Sequence, residues 1–350
     1  MQSQGERVTS TLVDLVFGEN PGRRRQELLK RIEGEVRKQS IWGTDFCVIS
    51  LATNIHEYTP IPVYLGYPII GHIEEHLVKF RQEGCKGVLI LLSTYGGEIT
   101  FPEALISKIR DMGFEKVHTF ILDAAFSAGT LLALLSDKII GFSNSHIGPV
   151  DPQLIALTPQ GVPRVVSAMS VKRYIEKVLP NLVEEQKLGK DGLVRLYAAQ
   201  DLLLYEKALE SINYIEDVFN NRICKTIGNC EKLKNLLLRE VTEHSQAISL
   251  QQLELENVIP EKVFLIDRIP TLQQLGELVV SYRALLRHLF AVESKPIGTI
   301  RAFIIGSTYG EIVGETSIIQ PPQIPILPPR APTPPPQPPA PNMPNMPPST

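Results

Sequence analysis

Two strand–turn–helix units in series constrain this chain more than any other feature of it. The first runs Gly87-Val-Leu-Ile-Leu-Leu92, then the turn Ser93-Thr-Tyr-Gly-Gly-Glu98, then the helical pattern Ala104-Leu-Ile-Ser-Lys-Ile109. The second runs Lys116-Val-His-Thr-Phe-Ile-Leu122, then Phe126-Ser-Ala-Gly-Thr130, then the apolar run from Gly129 to Leu135. A strand run with few polar interruptions is buried on both faces, and a helix between two strands of one sheet makes those strands parallel. Ligands of a parallel sheet bind beyond the carboxyl ends of its strands, so both turns are expected side by side at one edge.

That edge has the parts for acyl chemistry. Ser127 is placed at a helix N-terminus, where free backbone N–H groups and the helix dipole favour negative charge on a hydroxyl and on an attached oxyanion. It is the candidate nucleophile, although a serine before a helix also serves simply as an N-cap. Gly96 and Gly97 let the backbone approach a substrate carbonyl, and the N–H groups of Gly97 and Ala128 make a two-donor oxyanion hole. Alone, a Gly-Gly pair marks only a tight turn. Its meaning here comes from the serine turn about thirty residues on.

Leu91-Leu-Ser-Thr-Tyr-Gly-Gly-Glu-Ile99, Ala124-Ala-Phe-Ser-Ala-Gly-Thr130 and Ser136-Asp-Lys-Ile-Ile-Gly-Phe-Ser-Asn-Ser-His-Ile-Gly-Pro-Val-Asp-Pro-Gln153 together resemble the Clp protease and signal-peptide-peptidase superfamily. More narrowly, the chain is similar to the serine dehydrogenase proteinase family. That match rests on Gly148-Pro-Val-Asp-Pro-Gln153, on the stretch from Thr242 to Pro260, and on the helix Arg24 to Glu33 leading into Cys47-Val-Ile-Ser-Leu51. The resemblance spans residues 23 to 285. It implies a crotonase-like spiral of ββα units, an α/β fold, and a serine peptidase acting on peptides or proteins, assembled as a homo-oligomer.

Carried over residue by residue, the resemblance makes Ser127 the nucleophile and gives Gly96, Gly97 and Ala128 to the oxyanion and substrate-binding turn. The base is less directly marked. In Clp proteases a histidine follows an Asn-Ser pair by five residues, but five residues after Ser145 of Asn144-Ser145 stands Val150. His146 lies nearby in the wrong register. Signal peptide peptidases use a lysine some forty to fifty residues past the serine, and Arg164-Val-Val-Ser-Ala-Met-Ser-Val-Lys172 occupies that interval, which makes Lys172 the candidate base. The other reading of Lys172 is a solvated lysine paired with Glu176 at helical spacing. Lys138 is accounted for by a helix C-terminus. Asp151 either orients His146 or Lys172 or closes its Pro-flanked turn, and His244 has no derived role.

With 350 residues, 43% of them hydrophobic, and a net charge of −3, the chain can bury a sizeable core and has no global attraction to nucleic acid. Arg23-Arg-Arg25 reads as a solvated helix face. Cys47, Cys85, Cys224 and Cys230 form no Cys-x-x-Cys pair, so reduced thiols are expected, with neither metal nor cofactor required. The N-terminus lacks the pattern of a secretory signal, and Asp123 and the Ser-Ala-Gly turn interrupt the apolar stretch from Val117 to Ser136, so a cytoplasmic protein without a membrane span is expected. The partition is a helical segment over 1–40, a catalytic core over 41–180, a helical extension over 181–290, a short β-rich segment over 291–320, and a tail over 321–350. That tail holds 15 of the 28 prolines and is expected to be disordered, either a solvated extension or a ligand for a proline-motif-binding partner. Ser307-Thr-Tyr-Gly-Glu-Ile312 echoes the first turn but has no flanking similarity, so no internal repeat is inferred.

The function that follows is peptide-bond hydrolysis through a Ser127 acyl-enzyme. A non-catalytic peptide-binding scaffold on the same fold is the alternative, and an acyl-CoA enzyme of crotonase type is a weaker third.

Overall fold

A computed structural model of the chain describes residues 20–39, 45–55, 65–157, 163–181, 202–239, 247–291 and 299–317. Residues 1–318 form one compact unit and residues 319–350 a second, which lies outside the described residues together with His244 and the proline-rich tail.

The α/β class is as expected. Helix α1 (Pro21–Lys38) precedes β1 (Phe46–Thr53), α2 (Ile70–Gln82), β2 (Gly87–Thr94), α3 (Phe101–Asp111), β3 (Lys116–Ala125), α4 (Ala128–Leu135) and β4 (Lys138–Gly141). The short strands β5 (His146–Ile147), β6 (Gln153–Leu157) and β7 (Pro163–Ser167) follow, then α5 (Ala168–Arg173), α6 (Leu202–Val218) and α7 (Cys230–Lys234). The remainder is β8 (Ile248–Ser249), α8 (Leu250–Leu255), β9 (Val263–Leu265), α9 (Gln273–Ala291), β10 (Thr299–Ser307) and β11 (Gly310–Ser317).

One mixed sheet runs in the order β11-β10-β1-β2-β3-β4-β9. Its centre, β1 through β4 with β9, is parallel, and β10 and β11 add antiparallel beyond β1. The β-rich segment is therefore an edge of the main sheet, and its Ser307–Ile312 echo is the turn of a hairpin. The helical extension likewise contributes two strands, β8, paired with β5, and β9, paired with β4.

Every residue of β1 and β2 is buried, which is why both read as continuous apolar runs. Cys47, Ile49, Leu51, Val88, Ile90 and Leu92 face a core layered under α2, α3 and α4. Phe46, Val48, Ala52, Leu89 and Leu91 face the opposite way, onto α1 and α9. Helix α4 lacks a polar stripe because it is covered on all sides, with seven of its eight residues buried.

The cysteines depart from expectation. Cys47 is joined to Cys85, and Cys224 to Cys230, as disulfides. The first pairing follows from register: Cys47 lies in β1 and Cys85 two residues before the neighbouring β2, which brings their Cα atoms to 5.8 Å. Spacing along the sequence could not show a pairing made by strand alignment. Among the described helices none is long and apolar enough to cross a membrane.

Candidate active site

The edge of the sheet beyond β2 and β3 is built by a local mismatch. The β2–β3 register runs evenly to Leu92 opposite Ile121 and resumes at Thr94 opposite Ala125, so β3 carries extra residues just before the serine turn. Such bulges bend a strand and re-aim its side chains. Asp123, inside the irregularity, turns toward α9, where Arg283 and Arg287 hold it at 3.2 and 2.8 Å.

Ser127 follows with φ 50° and ψ −116° and makes no side-chain bond to cap α4. The capping reading is thereby removed: the hydroxyl is uncommitted to its own helix, and the residue is 6% exposed. Thr130 holds the turn in its place, its Oγ1 2.7 Å from the Ala125 carbonyl oxygen and 2.9 Å from that of Gly148.

Gly96 lies directly against the serine. A Cβ on Gly96 would stand 2.8 Å from Ser127 Cβ and 3.3 Å from the Ala128 nitrogen, and its φ of 119° suits glycine. Thr94 Oγ1 steadies the turn by accepting from the Gly96 N–H at 3.0 Å and lying 2.9 Å from Thr53 Oγ1. Gly97 is locked from the other side. It forms a parallel bridge with Leu65, in which Leu65 donates to the Gly96 carbonyl at 2.9 Å and Glu98 donates to the Leu65 carbonyl at 2.8 Å. That pattern leaves the Gly97 N–H outside the bridge, and the Ala128 N–H belongs to the first turn of α4, where helix donors have no helical acceptor. Among the described residues neither meets a hydrogen-bond acceptor. Tyr95 of the first turn and Phe126 of the second stack with their ring centroids 5.9 Å apart.

The structure thus brings Gly96, Ser127 and Ala128 together, with Gly97 next in the same turn. The candidates for the base are less tightly joined. His146 pairs with Ala124 at the end of β3 and with Ser249 of β8, and is half-buried. Val150, at the position of a Clp-type histidine, is a buried core residue whose N–H bonds the Leu237 carbonyl at 2.9 Å.

Asp151 is 3% exposed. It accepts from the Met169 N–H at 3.4 Å and from Gln153 Nε2 at 3.1 Å, which ties it to the start of α5. Lys172, on that helix, is half-buried and makes no hydrogen bond among the described residues. The anticipated Lys172–Glu176 pair is not formed, since Glu176 accepts from the Tyr205 hydroxyl at 2.9 Å.

One lysine escaped the sequence reading. Lys262 is 6% exposed and donates to the carbonyl of Leu134, at the end of α4 remote from Ser127. Burial pushes its ammonium down to about 8. A helix of eight residues spans about 12 Å, so Lys262 closes the carboxyl end of α4 and is out of reach of the serine. Lys138, beside it, donates to the Glu261 carbonyl at 2.8 Å.

No family model matches the chain. It is 26% identical over 228 residues to an uncharacterized protein of Methanocaldococcus jannaschii, covering 61% of this chain and 71% of that one. Among solved structures it is similar to the 1510-N membrane-bound stomatin-specific protease. A serine-to-alanine variant of that protease gives a TM-score of 0.37 and 13% identity over 66% of this chain and 83% of that one. A lysine-to-alanine variant with a substrate peptide gives 0.35 and 13% over 62% and 73%. The catalytic domain of the ClpP protease from Plasmodium falciparum gives a TM-score of 0.29 and 11% identity over 57% of this chain and 81% of that one.

Proposed function

We propose that this protein is a serine peptidase in which Ser127 attacks a peptide carbonyl. The observation that carries the reading is the state of Ser127: its hydroxyl is free of capping duty, at a positive-φ turn pressed against Gly96, beside two unengaged backbone donors. An oxyanion needs donors already aimed at it, and the Gly97 and Ala128 N–H groups are fixed by a β-bridge on one side and a helix start on the other. In this reading Lys172 accepts the serine proton and returns it to the leaving amine, after which water resolves the acyl-enzyme. Asp151 supports that role indirectly, by anchoring the helix that carries Lys172. The resemblance to the Clp and signal-peptide-peptidase superfamily, and within it to serine dehydrogenase proteinases, agrees with this chemistry and with a homo-oligomer.

A fluorophosphonate probe tests the nucleophile. Labelling of the wild type and none of Ser127→Ala is expected. A folded wild type that stays unlabelled from mildly acidic to strongly alkaline pH transfers the function to the peptide-binding scaffold. Lys172→Ala is expected to retain its fold and lose acylation at neutral pH, with partial recovery as pH rises and the serine ionises unaided. Full acylation at neutral pH in that variant removes Lys172 from the mechanism.

A further inference from the structure

At the other end of the parallel strands, remote from Ser127, a guanidinium sits among sulfurs and carboxylates. Arg37 is in the last turn of α1, and its Nη2 lies 3.2 Å from Cys47 Sγ and 3.3 Å from Cys85 Sγ. The same nitrogen is 2.9 Å from Glu33 Oε1 and 3.1 Å from Glu83 Oε2. The donor atoms of Cys47, Glu83 and Cys85 fall within 4.8 Å of one another, spacing that a metal ion could bridge. Here a side-chain cation already occupies the middle of the group, which points to a different chemistry.

Cys47 and Cys85 are joined, and both are buried. Of the groups beside them Glu33 is buried, but the side chains of Arg37 and Glu83 are 36% and 41% exposed, and both are long and flexible. A small thiol can therefore approach the sulfurs by moving the exposed Glu83 side chain, 3.8 Å from Cys47 Sγ, while Arg37 stays in place. When a disulfide is cleaved, one sulfur leaves as a thiolate. A neighbouring cation stabilises that thiolate, both as it leaves and in the reduced product. A purely structural disulfide in an apolar core has no such neighbour.

We propose that Cys47–Cys85 is a reversible thiol–disulfide exchange site, opened by an external dithiol and tuned by Arg37. One thiolate of the dithiol bonds to a cysteine sulfur as the Cys47–Cys85 bond breaks, and the leaving sulfur takes the electron pair while facing Arg37. The second thiol of the reagent then closes onto the first, releasing the second cysteine and an oxidised, cyclic reagent. Two electrons pass from reagent to protein, and the two protons of the reagent go to the cysteines or to water. The segment between Cys47 and Cys85 carries Leu65, whose backbone holds the Gly96–Gly97 turn, so opening the bond removes a covalent constraint from a part of the chain that supports the candidate active site.

The Cys224–Cys230 bond is an internal control, since its sulfurs receive no hydrogen bond from an arginine among the described residues. The full chain is equilibrated with graded ratios of reduced and oxidised dithiothreitol, quenched by alkylation, and read by mass at each cysteine. Expected is reversible opening of Cys47–Cys85 in the folded protein. Arg37→Gln is expected to shift its equilibrium toward the disulfide by about tenfold, the worth of a hydrogen bond to a charged group, with Cys224–Cys230 unchanged and Arg37→Lys intermediate. Free thiols at Cys47 and Cys85 at every ratio, opening only on denaturation, or an Arg37→Gln shift equal at both pairs or absent would overturn the proposal. Should Arg37→Gln fail to fold, the reduced wild type decides. Faster alkylation of Cys47 or Cys85 than of Cys224 and Cys230 at neutral pH in mild denaturant-free buffer supports it, and equal or slower alkylation sinks it.

Discussion

At the scale of the residue, Ser127 carries a cost. Its φ of 50° with ψ of −116° lies outside the left-handed helical basin, in territory that side chains other than glycine enter at about 1–3 kcal/mol. Ser127→Gly is therefore expected to raise stability by about 1 kcal/mol in a denaturant titration while abolishing fluorophosphonate labelling. Ser127→Ala should remove labelling with no such gain. A Ser127→Gly variant less stable than the wild type would show that the turn is not strained. The sequence made this serine visible as a hydroxyl between a strand and a helix, and left open whether it capped that helix. The answer depends on φ at Ser127, at a turn that packs against Gly96, thirty-one residues away in the sequence. Lys262 was invisible for a similar reason. A single lysine before a short strand looks solvated, and only the pairing of β9 with β4 buries it under α4.

At the scale of the element, two supports set the site. The bridge between Leu65 and Gly97 fixes the donor turn, and a Cβ on Gly97 would fall 2.0 Å from the Leu65 carbonyl oxygen. Gly97→Ala is expected to cost about 2 kcal/mol or more and to lower kcat well beyond any change in KM, because the bridge and the donor geometry fail together. An unchanged kcat would separate Gly97 from the oxyanion hole. The far end of α4 has its own signature in pH. Lys262 is held near 8 in the fold against 10.5 when unfolded. Its charged form is thus disfavoured by folding at neutral pH, and stability is regained as pH rises from about 8 toward 10, by about 3 kcal/mol at most. Above that range the sign reverses, since burial keeps Tyr282 protonated in the fold while the unfolded chain releases its proton. Lys262→Met should abolish the rise between pH 8 and 10 in thermal denaturation; a rise that persists in the variant must come from another group. The strands and helices of this region were legible, since apolar runs and glycine turns are local signals. The Leu65 bridge was not, because a single paired residue leaves no periodicity to read.

At the scale of the whole molecule, the sheet is closed by partners far apart in sequence. Arg25, 2% exposed on α1, grips Glu311 of β11 through Nε at 2.9 Å and Nη2 at 2.7 Å. What reads as one of three solvated arginines is a buried cation with its counter-charge 286 residues away. Arg25→Ala leaves Glu311 without that partner in a setting only 22% exposed and is expected to cost about 3 kcal/mol. If calorimetry shows no loss of thermal stability, the pair does not brace the sheet. The same long reach orders events in time. β1 leaves the ribosome early, yet one of its two edges is covered only by β10, whose residues Phe303 to Ser307 pair with Thr53 to Ile49. Local pairings such as β2 with β3 can form during synthesis, while the outer edge of β1 stays open for some 250 residues of translation, a bare strand edge of the kind that recruits other chains. The sheet stays incomplete until β10 can pair, and nascent chains stalled before residue 299 should be the aggregation-prone species in its biogenesis.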